Sequence, residues 1–212
     1  MNNQQTLNTK VVTGVVRLSF VHLFQPYSSH VGQVPKYSTT ILIPKTDTKT
    51  KKAIDDAIQA AIQLGVQSKW GGVRPAQPKH PVWDGDGLRQ NGEPFGPECK
   101  GHWVLTASSK IQPQVVDKQL QPILDQTEVY SGMYALVSIN FFPYFNSGNK
   151  GIGCGLNNVM KVADGEPLGG RTTAEEDFAN ISIPQVPQAQ PAQQPVQQAY
   201  QAVDPITGLP IV

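Results

Sequence analysis

The sequence predicts a mainly β fold with one well-defined helix, long loops and a C-terminal tail without stable structure. The chain of 212 residues holds 19 glycines and 18 prolines, so turns and irregular loops are plentiful. Only 16% of its residues are charged, against about 25% in typical domains. A single window shows helical periodicity. These observations exclude a helical bundle and a coiled coil.

Five runs rich in β-branched and aromatic residues are predicted to form the main strands. They cover residues 11–24, 36–43, 101–108, 133–144 and 152–162, and a shorter strand is predicted at 115–116. Gly14 lies inside the first run and indicates a bulge or a bend. The composition of residues 146–151 predicts a hairpin loop between the last two main strands.

The one confident helix is predicted directly after the second strand. Thr46 or Asp47 is a suitable N-cap, and Ile54, Ile58 and Ile62 recur at helical spacing. Gly65 is expected to end this helix.

The segments outside these elements differ from one another in composition. Residues 69–101 are long and irregular, and the two tryptophans within them argue against disorder. Residues 1–10 are polar and are predicted to be flexible. Residues 181–212 are dominated by Gln, Pro, Ala and Val, which cannot bury a core, so we expect a disordered tail. The structured domain is therefore expected to span residues 11–180.

The charge of the chain is distributed unevenly. Residues 1–163 hold 16 of the 17 Lys and Arg but 10 of the 16 Asp and Glu, a net charge of +6, and the remainder carries −5. A basic body followed by an acidic segment suggests a polyanion binder with a built-in competitor for its site. The alternative is that the charge is ordinary solubilising charge.

The sequence also predicts a cytoplasmic protein. No apolar run approaches the roughly 18 residues that a membrane span needs, and residues 1–10 contain no apolar signal segment. Cys99 and Cys154 are far apart and form no CxxC pair, so reduced thiols are expected, with a disulfide between them as the less favoured alternative.

Aromatic and basic residues are interleaved along the chain, as single-stranded nucleic acid requires. Aromatic rings stack on unpaired bases while Lys and Arg follow the phosphates. The predicted nucleic-acid-binding residues are Lys36, Tyr37, Lys69, Trp70, Arg74, Trp83, Lys100, Trp103, Lys110, Tyr134, Tyr144 and Lys150.

The tryptophans are the favoured stacking residues in this set because turns or cations flank them, whereas Phe20 lies inside an apolar run. We expect at least one of the three to stack on a base. The alternative for each aromatic residue is core packing or a cross-strand pair. Phe141 and Phe142 are expected to face opposite sides of their strand.

Other motifs carry weaker signals. Gly151, Gly153 and Gly155 share one strand face, which permits close approach either of a base or, as we favour, of a bulky side chain across a barrel. Asp84 and Asp86 are read as a turn rather than a metal site. The sequence contains no zinc-ligand spacing, phosphate loop or nucleophile elbow. No catalytic residue, metal or cofactor is therefore predicted.

Several stretches, taken in order, resemble a family of bacteriophage-encoded single-stranded DNA-binding proteins. They include KYSTTILIPK at 36–45, KWGG at 69–72, GHW at 101–103, SINFFPY at 138–144, GLNNV at 155–159 and DGEPLGGR at 164–171. The resemblance covers about residues 11–180. It implies an OB-like β-barrel and a role in phage DNA replication, recombination or repair.

The leading hypothesis is thus a non-enzymatic protein that coats single-stranded DNA with little sequence preference. Replication or recombination proteins are possible partners of its tail. The alternatives are a phage structural or assembly protein, and a nuclease or nuclease accessory protein that uses Asp84, Asp86 and Asp117.

Overall fold

The computed structural model describes residues 7–28 and 30–169, and these residues form eight strands, one long helix and two short 3-10 helices. The strands are β1 (Lys10–Val12), β2 (Val16–Tyr27), β3 (Lys36–Pro44), β4 (Val82–Asp84), β5 (His102–Ser109), β6 (Gln114–Val116), β7 (Tyr134–Asn146) and β8 (Asn149–Ala163). The helix α1 spans Thr48–Ser68, and the 3-10 turns are Pro97–Cys99 and Gln126–Glu128. The prediction of a mainly β fold is confirmed.

Five of the strands close into an irregular ring. β2 pairs with β3, β3 with β5, and β7 with β8, all antiparallel. β8 joins β5 in parallel through Ser108 and Gly155, and β7 returns to β2 near Tyr134. This arrangement is OB-like, since an OB-fold is a five-stranded, partly open barrel.

The helix directly follows the strand predicted at 36–43, which is third in chain order because β1 and β2 divide the predicted first strand. The predicted strand 11–24 is interrupted, because the Gly14 amide donates to Thr50 Oγ1 (2.8 Å) and a side chain at Gly14 would meet the Asp47 carboxylate. The chain bends there, and β1 pairs with β7 outside the ring. Gly14 indicated the bend but not the change of partner.

α1 begins at the predicted cap and ends one turn beyond the predicted end. Asp47 Oδ1 accepts a hydrogen bond from the Thr50 amide (3.0 Å), and Ile54 and Ile58 are fully buried. Gly65 lies within the helix, where its missing side chain leaves room for the Trp70 ring. No helix among the described residues is long and apolar enough to cross a membrane.

The core fills the inside of the ring. Residues that alternate along the strands meet there and are fully buried, among them Leu18, Ile41, Leu105, Val137 and Ile139. Both cysteines are free and buried, and burial raises the pKa of each thiol. The opposite side of each strand remains available at the surface.

The predicted boundaries of the domain are only partly covered. The Phe141 amide donates to the Thr9 carbonyl (2.9 Å), and β1 begins at Lys10, so the chain is tied to β7 before the predicted boundary at residue 11. The predicted domain end at residue 180 and the predicted tail 181–212 lie outside the described residues.

Candidate nucleic-acid interface

The outer face of β2, β3 and β5 carries a groove whose floor is a stripe of hydroxyl groups. Ser38 pairs with Ser108 in the strand register, and Thr40 pairs with Thr106. The hydroxyl oxygens of the two threonines lie 3.2 Å apart. Together with β2 and the loop that follows it, these residues enclose a cavity of about 340 Å³, here called the groove. Hydroxyl groups both donate and accept, so this floor can adapt to different bases.

Three aromatic side chains of β2 form one wall of the groove. The rings of His22 and Tyr27 are stacked, with centroids 4.5 Å apart and planes inclined by 10°. Phe20 is 63% exposed and adopts φ +49° where the β2–β3 register shifts. A non-glycine residue in this left-handed region is strained, and such strain clusters at functional sites.

Phe20, which the sequence analysis set apart from the favoured stacking residues because it lies inside an apolar run, is therefore at the surface. The irregular register between Ser19 and His22 turns the Phe20 ring out of the alternating pattern, which the apolar run around it concealed. The hydroxyl stripe was also missed, although its signal was present. Ser38, Thr40, Thr106 and Ser108 occur at every second position of their two strands.

The glycines of β8 lie between β5, which lines the groove, and β7. A Cβ at Gly153 would meet the Phe142 ring, and a Cβ at Gly151 would meet Tyr144. Bulky side chains do approach these glycines, but they come from the adjacent strand β7 and not from across the barrel. Phe142 is 43% exposed whereas Phe141 is 1% exposed, as the alternation predicted.

Trp70 is removed from the candidates for base stacking because it belongs to the core. It is 3% exposed, and its indole Nε1 donates to the Tyr144 carbonyl (3.0 Å). Its own carbonyl lies 3.4 Å from the Lys150 ammonium. The side chain ties the end of α1 to the β7–β8 hairpin.

Trp103 also has its ring engaged within the protein. The ammonium groups of Lys45 and Lys51 lie 4.9 and 4.8 Å from its centroid. Lys45 in turn pairs with Asp84 (2.5 Å) and Asp86 (2.6 Å), and these hydrogen bonds raise the pKa of Lys45 and lower those of both carboxyls.

The two aspartates of this turn are thus held by a lysine. Asp117 caps its own turn by accepting from the Gln119 and Gln121 amides. Within residues 7–28 and 30–169, no group of three or more His, Cys, Asp or Glu side chains could hold a metal ion.

The other predicted aromatic residues occupy different parts of the surface. Trp83 is 36% exposed on β4, opposite Val104 of β5. Tyr37 is the second residue of β3 and is half-buried. Tyr144 is half-buried over Gly151. Tyr134 lies at the far end of β7, with the Arg17 guanidinium 6.0 Å from its ring centroid.

The predicted cations form no ion pair with a carboxylate in the described part of the chain, whereas Lys45, Lys51, Lys52 and Lys161 do. These unpaired cations are Lys36, Lys69, Arg74, Lys100, Lys110 and Lys150. Lys36 lines the groove. Residues 57–83 and 129–163 contain no acidic residue, and the two segments meet where Lys79 pairs with Gly151. This part of the surface is therefore positive.

A family model described as the ssDNA-binding protein of Enterobacter phage Enc34 matches residues 9–187. A putative protein p50 of Acyrthosiphon pisum secondary endosymbiont phage 1 is 29% identical over 185 residues, which cover 82% of this chain and 95% of that protein.

Two solved structures are similar to this one. The single-stranded DNA-binding protein of bacteriophage Enc34, in complex with ssDNA, superposes with a TM-score of 0.65 at 31% identity, over 76% of this chain and 90% of that chain. The single-stranded DNA-binding protein gp2.5 of bacteriophage T7 has a TM-score of 0.53 at 15% identity, over 85% of this chain and 98% of that chain. The second likeness concerns the fold alone.

Proposed function

Because the chain belongs to the family of the Enterobacter phage Enc34 ssDNA-binding protein, we propose that it binds single-stranded DNA along its outer groove, with little sequence preference. The observation that carries this proposal is the groove itself. It combines the exposed rings of Phe20 and Tyr27, a floor of hydroxyl groups and the cation Lys36 in one cavity.

Each part of the surface has a role in this proposal. Bases stack on Phe20, on the His22–Tyr27 pair and on Phe142, and each stacked base contributes about 1–3 kcal/mol. Lys36, Lys110 and Lys150 neutralise phosphates along the path. The hydroxyl stripe donates to or accepts from any base, which accounts for tolerance of sequence.

The topology of the barrel supports this location for the bound DNA. In OB-folds, oligonucleotides bind across the second and third barrel strands. Within the ring of this protein those strands are β3 and β5, which supply the hydroxyl stripe. A similar protein, 31% identical, has been solved with ssDNA bound.

The biological role that follows is non-enzymatic. We propose that the protein covers and protects single strands during phage DNA replication, recombination or repair in the host cytoplasm. Neither alternative function is supported by a specific feature. The carboxylates that a nuclease would use are held by Lys45 or by a turn. Recruitment of replication or recombination proteins by residues 181–212 stays a proposal.

Binding is expected to weaken steeply with salt and to favour single strands over duplex. If about four phosphates are neutralised, raising the salt from 50 to 200 mM weakens binding to oligo-dT about 50-fold through counterion release. Duplex of the same length is expected to bind at least about tenfold more weakly, because paired bases cannot stack on the protein. Fluorescence anisotropy at both salt concentrations measures the two effects. Equal affinity for both forms would contradict the stacking part of the proposal.

The acidic segment after the barrel is expected to compete with DNA for the positive surface. Asp164 is already engaged, because Lys161 and the Tyr130 hydroxyl donate to it and lower its pKa. The informative change is therefore Glu175→Gln, Glu176→Gln and Asp177→Asn together, which is expected to tighten binding of oligo-dT several-fold at low salt.

The matched comparison is deletion of residues 181–212, which carry a single acid. This deletion is expected to leave the affinity within about threefold, roughly 0.7 kcal/mol. Titration of both variants with one oligonucleotide shows whether DNA binding is reduced by the acidic side chains at 175–177 or by the presence of residues 181–212. A gain confined to the deletion would place the competing element in the tail instead.

A further inference from the structure

Residues 164–168, here called the strap, cross the outer face of the barrel beside the groove. The Arg17 guanidinium donates to the Glu166 carbonyl (2.6 Å), and the Leu168 amide donates to the Ser131 carbonyl (2.7 Å). The Tyr130 hydroxyl accepts from the Gly165 amide (3.2 Å). The Leu168 side chain packs against the cluster formed by Leu42, Cys99 and Val104. The strap is thus held by both backbone and side-chain contacts.

The strap lines one side of a second cavity of about 590 Å³, here called the strap pocket. Ser19 of β2 and Ser131 line it on one side, and Pro97 and Glu98 line it on another. Phe20 borders both the strap pocket and the groove. The Phe20 ring separates the two cavities. A DNA strand that lies in the groove can therefore place a base in the strap pocket.

The chemistry of the strap pocket favours a base over a phosphate. Glu98 and Glu166 are both lining residues of the strap pocket, and their negative charges disfavour a phosphate. Arg17 is the one cation among the described residues of the lining, and its guanidinium donates to the carbonyls of Gly132 and Glu166, so the two acids outnumber it. The Phe20 ring and the Leu168 side chain offer apolar surfaces for the faces of a base.

The acceptors in the strap pocket also distinguish among bases. A carboxylate accepts a hydrogen bond from an exocyclic amino group, as Glu and Asp do from N4 of cytosine. Thymine has no amino group, and its carbonyl oxygens would face the carboxylate. Glu98 is half-exposed, and the Cys99 thiol, which lies 3.8 Å from its Oε1, is too weak a donor to occupy the carboxylate.

We propose that the strap pocket takes one base of the bound strand, stacked on Phe20, and that Glu98 selects a base with an exocyclic amino group, cytosine in particular, over thymine. This inference rests on the proposed function and deepens it. Because only one base position is selective, the protein shows a modest preference for cytosine and still binds DNA of any sequence. The strap then acts as part of the site.

The test compares the affinities of oligo-dC and oligo-dT of equal length, at neutral pH, for the full chain. The intact protein is expected to bind oligo-dC about five- to tenfold more tightly. Glu98→Ala is expected to bring this ratio close to one while changing the affinity for oligo-dT less than about twofold. Glu128→Ala, which removes an exposed acid elsewhere, is the control and is expected to leave the ratio unchanged.

A second variant tests the contribution of the strap independently of Glu98. Leu168→Ala loosens the strap without touching Glu98, and it is expected to lower the same ratio. Equal affinities of the intact protein for both oligonucleotides would overturn the strap pocket as a base site. A Glu98→Ala protein that gains affinity for both by one factor would also overturn it, since only a repulsive charge would have been removed. Failure to bind either oligonucleotide would overturn the proposed function, and the strap pocket with it.

Discussion

Phe20→Gly is expected to weaken the binding of oligo-dT by about 5- to 150-fold, which corresponds to the roughly 1–3 kcal/mol of one stacked base. The same change is expected to leave the fold at least as stable. Phe20 is 63% exposed and holds φ +49°, which costs a non-glycine residue about 1–2 kcal/mol and costs glycine little. Affinity and stability should therefore move independently.

The two quantities are measured by anisotropy titration and by urea unfolding of the same variant. Leu124→Ala is the matched control, because Leu124 is an apolar residue exposed by 86% in a loop outside the groove. We expect the control to change neither quantity appreciably. If Phe20→Gly bound oligo-dT as tightly as the intact protein, the β2 wall would not be a stacking surface.

Trp70→Ala is expected to lower the free energy of unfolding by about 3–5 kcal/mol, as for other buried tryptophans replaced by alanine. The ring fills the space over Gly65, and its indole N–H satisfies the Tyr144 carbonyl. Removing it leaves a cavity between α1 and the β7–β8 hairpin and breaks the hydrogen bond to the Tyr144 carbonyl. Trp70→Phe keeps most of the volume and should cost less.

Trp83→Ala provides the control of the same residue type, because Trp83 is 36% exposed on β4. Its cost in urea unfolding is expected to stay below about 1 kcal/mol. Trp70→Phe is expected to bind oligo-dT within about threefold of the intact protein, since a buried ring offers no face to a base. An equal loss of stability for both alanine variants would contradict the structural role assigned to Trp70.

The class of fold, the helix and the family could all be predicted before any tertiary contact was known. Alternation and helical spacing are local patterns that follow from the geometry of one element, so β3, α1, β5, β7 and β8 could be recognised from the residues alone. The resemblance to phage single-stranded DNA-binding proteins rested on ordered motifs, and the family match over residues 9–187 confirms it.

Tertiary structure alone decided which aromatic residues face the groove. Trp70 and Trp83 are both followed by a glycine-containing turn, yet one is buried by the packing of α1 on the hairpin and the other remains exposed. Phe20 is turned outward by an irregularity in the β2–β3 register, and the strap pocket joins β2 to residues about 80 and 150 positions further along the chain. Register shifts and long-range contacts depend on how whole strands fit together, and no local pattern of residues encodes that fit.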